Sequence, residues 1–212
     1  MHIGAMTRNF MLLISGLILS ACGQADAPAS QNNAGGAVGG CHTRAFAEIG
    51  GPISMIDSSG ASVTEADFKG RPSLIYFGFT YCPDICPATL VTVERALRRL
   101  PEDTPPPRTI LISIDPERDT PESMKSYIST EVFPDDIVGL TGSAEQVKAA
   151  ADTFKIGFQR IQESEDPSDY TVDHSSILYL MDENWELKTF FTHEATAENI
   201  GDCLAQQLKN DQ

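Results

Sequence analysis

The loop Thr80-Tyr81-Cys82-Pro83-Asp84-Ile85-Cys86-Pro87 holds two cysteines four positions apart, each followed by a proline. Proline suits the first turn of a helix, and it biases the residue before it away from helical geometry. The spacing therefore predicts a helix that starts at Pro87, with Cys86 at about its N-cap. Both sulfurs then lie at the positive end of a helix dipole, which favours thiolate over thiol. Thiolates attack disulfides and bind soft metals. Two inert core cysteines are the bland alternative, but a proline-rich loop is a poor way to fill a core.

Three chemistries fit the pair. A redox dithiol is one, although the thioredoxin-type motif has two residues between its cysteines and this loop has three. Structural zinc wants four nitrogen or sulfur ligands, and no second close Cys/His pair supplies them. Copper in the +1 state is content with two thiolates and one imidazole. The chain has four histidines, at positions 2, 42, 174 and 193. His2 leaves with a cleaved leader, His42 sits in a linker, and His193 follows the last strand as a turn residue. His174 stands just before an apolar strand, with Asp173 beside it as a carboxylate able to orient the ring.

The elements that must position these residues read as one α/β domain. Residues 49–63 suggest an opening β-hairpin around the turn Asp57-Ser58-Ser59-Gly60. Residues 73–79 (SLIYFGF) form a continuous apolar run of strand length, the pattern of a strand buried on both faces. Residues 109–114 (TILISI) are a second such strand. Leu90, Val93, Leu97 and Leu100 give the helix between them an apolar face. Thr120-Pro121 opens another helix with an N-cap and a proline at the first position. Ser143 with Gln146 forms the capping box of a third. Residues 176–181 and 187–191 flank Asp182-Glu183-Asn184 as a closing hairpin, and a last helix from about Thr196 carries Ile200, Cys203, Leu204 and Leu208 on its apolar side. Strands alternating with helices, then a hairpin and helix, make a mixed central sheet flanked by helices.

The rest of the chain bears on compartment and partners. Lys+Arg 15 against Asp+Glu 30 leaves a net charge of -15, and such a surface works against nucleic-acid binding. Arg8 precedes a short apolar run over residues 10–19, too short for a comfortable membrane span. It ends in Leu19-Ser20-Ala21-Cys22, which resembles a bacterial lipobox. That predicts a lipoprotein signal peptide over residues 1–21, lipidation of Cys22, and a flexible tether over residues 22–48 before the domain at 49–212. The domain would then face the periplasm on a lipid anchor, where free thiols need a reason to persist.

Three separated motifs, FGFTYCPDICP at 77–87, SIDPERDTPE at 113–122 and YTVDHSSILYLMD at 170–182, together resemble the Sco/SenC family, the copper proteins of cytochrome c oxidase assembly. The resemblance covers about residues 49–207. It implies a thioredoxin-like fold, with Cys82 and Cys86 as copper thiolates, His174 as the imidazole ligand and Asp173 as the aspartate before it. It also implies copper as the bound ion and an acceptor such as the dinuclear copper A centre of cytochrome c oxidase subunit II or another periplasmic copper acceptor. A thiol-disulfide reductase that keeps the acceptor's cysteines reduced is the alternative use of the same pair. Asp115, Glu117, Arg118 and Asp119 match the family's loop after the second strand, and by themselves read as solvated charge. Cys41 and Cys203 lie outside the motifs. In an oxidising compartment Cys41, with no apolar partners close in sequence, would invite mispairing with Cys82 or Cys86. A Cys41 to Cys203 disulfide would remove that hazard and leave the reactive pair as the free thiols.

Overall fold

The computed structural model describes Cys41 and residues 49–209. The expected signal peptide, the lipid site Cys22, His42 and the tether apart from Cys41 lie outside the described residues.

The apolar run at 73–79 sets the architecture, because a strand with no polar face needs neighbours on both edges and cover on both sides. As β3 (Ser73–Gly78) it is buried along its whole length. It pairs parallel with β4 (Arg108–Ser113) and antiparallel with β8 (Ile177–Met181). β5 (Ile137–Thr141) extends the sheet from β4, and the hairpin of β1 (Ser54–Asp57) and β2 (Ser62–Thr64) closes that edge. β9 (Leu187–Thr192) closes the other as the hairpin partner of β8. The order is β2-β1-β5-β4-β3-β8-β9. This is the mixed sheet with an N-terminal hairpin that the sequence implies.

Among the described residues, four α-helices flank the sheet: α1 (Ile85–Leu97), α2 (Pro121–Ile128), α3 (Ala144–Thr153) and α4 (Ala197–Lys209). Their starts follow local chemistry. Thr120 Oγ1 accepts the Ser123 N–H at 3.2 Å with Pro121 at the first helical position. Ser143 and Gln146 exchange bonds as a capping box at the head of α3. α1 packs on α4, α2 on β5 and α3 on β1. Phe154 anchors the core beyond α3, its ring 5.3 Å from Phe77 and 5.4 Å from Tyr179.

Two features go beyond the sequence reading. β5 carries no strong strand signal, since Gly139 interrupts a short apolar run. A second, two-stranded sheet is built from β6 (Phe158–Gln162) and β7 (Tyr170–His174), paired so that Phe158 faces His174. All of β6 is exposed, so it has no alternating pattern to read. His174 consequently ends a strand of its own and does not merely precede β8.

Cys203 lies on the buried side of α4, bonded to Cys41 with their Cα atoms 5.2 Å apart, a normal disulfide separation. Cys82 and Cys86 are the free cysteines among the described residues. The crosslink closes a loop of 162 residues. Replacing Cys203 by serine is expected to cost about 2–4 kcal/mol and to lower the thermal midpoint by roughly 5–15 °C in scanning calorimetry. An unchanged midpoint, with alkylatable thiols at both positions in the wild type, would contradict a structural crosslink.

Candidate metal centre

β3 ends at Gly78, and the chain turns through Phe79 to Asp84 into α1. The helix starts at Ile85, two residues earlier than the proline suggests. Pro87 is tolerated there because the first four N–H groups of a helix have no intrahelical acceptor, so its missing N–H costs nothing. Cys86 is therefore the second residue of α1 and not its cap. The cap itself is unusual. Asp84 occupies the N-cap position but its side chain bonds no backbone N–H there. The Cys86 N–H instead donates to Cys82 Sγ at 3.3 Å. A sulfur thus takes the place normally held by a capping oxygen.

The bond between the two side chains, with this contact beside it, makes the two thiols unequal. A hydrogen bond from the Cys86 side chain, helped by the N–H groups of Cys86, Asp84 and Ile85 and opposed by partial burial, holds Cys82 down to about 6. Cys86 moves far upward, because it donates to Cys82, is buried and faces the charge on Cys82. At neutral pH Cys82 is the thiolate and Cys86 the thiol. Gly78 makes room for the buried sulfur: a Cβ there would sit 2.9 Å from Cys86 Sγ and 3.1 Å from the Tyr76 ring. Tyr76 is 1% exposed, and its hydroxyl donates to Cys86 Sγ at 3.8 Å. Burial above all pushes its ionisation well above the usual range, so it stays a donor.

β7 delivers the third group. His174 Nε2 stands 3.9 Å from Cys86 Sγ. Its Nδ1 lies 3.2 Å from the Ser175 carbonyl oxygen, which can only accept, so Nδ1 carries the proton and Nε2 presents a lone pair. Burial lowers the histidine below its ordinary value, more than the Ser175 hydrogen bond and the charge of Asp173 raise it, so the ring is neutral. The edges of Tyr76 and Phe79 meet the ring at centroid distances of 6.2 and 6.1 Å. Orientation therefore comes from Ser175 and two aromatic edges. The sequence reading gives it to Asp173. Adjacent strand residues point to opposite faces, which leaves Asp173 exposed with only a charge effect on the ring. A shallow depression lined by Phe158, Gln159, Asp173 and His174 opens the imidazole to solvent. His193 is exposed at the turn between β9 and α4.

Two sulfurs and one imidazole nitrogen suit a soft cation of low coordination number. With metal-ligand bonds of about 2.0–2.3 Å, donors at two corners of a trigonal site lie about 3.7 Å apart. The Cys86 to His174 separation of 3.9 Å already matches that span. Among the described residues no group of three or more His, Cys, Asp or Glu is preassembled to hold a metal ion, so Cys82 would have to turn inward from its place on the helix N-terminus to join the other two donors.

The family model described as SCO1/SenC matches residues 42–209. The chain belongs to the SCO1/SenC family. It is 38% identical over 153 residues to a SCO2-like protein of Rickettsia prowazekii, covering 72% of this chain and 74% of the relative. With the mitochondrial SCO1 homolog 1 of Arabidopsis thaliana it shares 35% identity over 167 residues, 77% of this chain but 48% of the plant protein, so it spans about half of that relative. Arabidopsis thaliana ScoI, solved with copper bound, superposes with a TM-score of 0.71 at 36% identity over 76% of this chain and 99% of that one. The thioredoxin-like fold is thereby shared with this SCO1/SenC structure.

The SCO1/SenC loop after β4, which reads in sequence as solvated charge, is largely buried here. Asp115 is 3% exposed and Asp119 1%. Asp119 accepts from Thr80 N, Thr80 Oγ1 and Ser113 Oγ, which ties the cysteine loop to the end of β4. Asp115 accepts from Arg118 and from Tyr170 Oη at 2.7 Å. Arg118 in turn donates to the Tyr170 carbonyl and lies under the Tyr81 ring, 4.6 Å from its centroid. The same network thus holds the Cys82 loop and the start of β7. A buried carboxylate is tolerated only when its oxygens are bonded, and these loop carboxylates are. Only glutamate 117 of the loop's acids is exposed, in an ion pair with Arg160.

The inequality of the thiols has a direct readout. Thiolate fraction grows as pH rises through about 6, so alkylation of Cys82 in the copper-free protein should follow a titration with that midpoint. Cys86 should stay slow up to neutral pH. Mass spectrometry after timed iodoacetamide exposure measures both, and a Cys82 midpoint near the ordinary thiol value of about 8.5 would contradict the capping contact.

Proposed function

We propose that this protein is a copper metallochaperone, lipid-anchored at Cys22 and facing the periplasm, that delivers copper to the dinuclear copper A centre of cytochrome c oxidase subunit II. The observation that carries the reading is the approach of His174 Nε2 to Cys86 Sγ at 3.9 Å with Cys82 beside them. A copper site needs this imidazole as a ligand, whereas in a redox dithiol His174 would only tune the thiolate. The Arabidopsis thaliana ScoI structure with copper bound supports the choice of ion.

In this reading Cys82, already a thiolate, captures the ion at the surface. Cys86 then loses its proton to solvent as the cation replaces it electrostatically, and His174 Nε2 completes the set. Release proceeds by ligand exchange: acceptor donors enter through the depression at His174 and replace the three ligands in turn, so the ion is never free. Cys82, Cys86 and His174 are the metal residues, and the Ser175 carbonyl fixes the ring.

One observation favours a second use of the pair. An accessible thiolate at Cys82 backed by a buried thiol at Cys86 is also the division of labour in a disulfide reductase. Cys82 would attack an acceptor disulfide, and Cys86 would resolve the mixed disulfide. His174 separates the readings. Replacing it by alanine is expected to lower copper(I) affinity at least tenfold, from about one ion per chain in the wild type, and to slow transfer to an isolated subunit II copper domain. The variant's cysteine pair should still form a disulfide. Metal analysis and competition with a copper(I) chelator measure this, and unaltered affinity would favour the reductase.

The anchor is tested separately. The mature protein should partition into detergent with an N-terminal mass increment from acyl chains, and Cys22→Ser should abolish both. Several chains at this one residue are needed, since a single acyl chain binds membranes only marginally. A soluble, unmodified mature protein cut elsewhere would contradict the assignment.

A further inference from the structure

Beyond Ser73 at its start, β3 carries one polar side chain, Tyr76. Its neighbours Leu74, Ile75 and Phe77 are fully buried hydrocarbon, and Tyr76 is itself only 1% exposed. A phenol oxygen in such a place costs free energy unless its hydrogen bond is used, and a phenylalanine would fill the same space without that cost. The oxygen is directed at the site: it donates to Cys86 Sγ at 3.8 Å, while the ring meets His174 edge-on at 6.2 Å with planes at 66°. One side chain therefore touches two of the three donors from beneath. Gly78, two residues on and on the same face of the strand, leaves the space in which the Tyr76 ring and Cys86 Sγ both lie. The hydroxyls of Thr89 and Ser176 complete the surroundings of the phenol.

From this geometry we infer that Tyr76 is a positioning residue that tunes the Cys86 sulfur, its O–H drawing electron density from the thiolate and moderating its hold on a bound soft cation. The inference rests on Cys86 acting as a metal thiolate. Hydrogen bonds to a cysteine sulfur are a recognised lever on the electronics of copper-thiolate centres. A weaker donor at the buried corner also suits a site that must give its ion away. Tyr76 acts through Cys86 and does not itself ligate.

Tyr76→Phe removes one oxygen and keeps the ring against His174, so the fold and both cysteines remain. The first readout uses copper-free protein in a glutathione redox buffer. There the Cys82 thiolate and the Cys86 thiol pass two electrons and the Cys86 proton to one glutathione disulfide, solvent supplies the second proton, and the products are the protein disulfide and two glutathione molecules. The O–H bond stabilises the sulfur in the reduced form and not in the disulfide, so the variant should be oxidised more readily. The expected shift is roughly fivefold in the equilibrium constant, about 20 mV for this two-electron couple. The second readout is the sulfur-to-copper charge-transfer band of copper(II)-loaded protein, which should move to longer wavelength as the sulfur becomes the better donor. A purely structural tyrosine, serving Thr89 and Ser176 alone, predicts a lower thermal midpoint with both readouts unchanged, and that result overturns the inference. The copper-free arm keeps the tests separate: absence of copper binding by the wild type would defeat the chaperone reading, and the redox shift would still decide whether Tyr76 acts on the sulfur.

Discussion

The N-terminus of α1 directs an unsatisfied amide at the Cys82 sulfur, and the placement of the other donors depends on that contact. A helix end must find acceptors for its first N–H groups. With the Asp84 side chain turned away from this duty, the cap falls to a thiolate. The Cys86 S–H bond, with the cap beside it, holds that sulfur as a thiolate, and the same S–H bond, burial and the thiolate charge keep Cys86 protonated one turn below. The same geometry that stabilises the helix stores one reactive sulfur outside and one protected sulfur inside.

Around this contact the fold supplies three walls. β3 provides Gly78, without which the Cys86 sulfur could not enter, and Tyr76 beneath it. The loop after β4 provides Asp119, which accepts three hydrogen bonds from Thr80 and Ser113 and so fixes where the cysteine loop leaves the sheet. β7 provides His174, and the pair Arg118 and Tyr170 ties that strand to the same loop. Removing a partner from such a network leaves a buried polar group unsatisfied, which costs about 1–3 kcal/mol. Asp119, Arg118 and Tyr170 thus hold the loop and strand in place without touching the three donor side chains.

Much of the architecture was legible in residues whose local signals agree. The apolar run of β3, the proline and threonine at the start of α2, the Ser143-Gln146 box of α3 and the β8-β9 hairpin each carry a pattern that needs no tertiary knowledge. The thiol pair and His174 were legible from type and from resemblance to a family. What the sequence hid has physical causes. β6 has no buried face, so the hairpin that carries His174 left no periodicity. Asp115 and Asp119 read as surface charge because their burial depends on Tyr170 and Thr80, which come from other parts of the chain. The start of α1 was displaced because a sulfur, absent from capping rules built on oxygen, completes the first turn. Asp173 was the nearer choice in sequence for orienting the imidazole, yet strand alternation turns it away and a backbone carbonyl takes over.

In the proposed copper site two sulfurs and the Nε2 of His174 share one ion. X-ray absorption at the copper K-edge of the copper(I)-loaded protein reads that set directly. The account predicts a three-coordinate site with scattering from two sulfurs and one imidazole nitrogen. A two-coordinate, sulfur-only site with no imidazole contribution would contradict it.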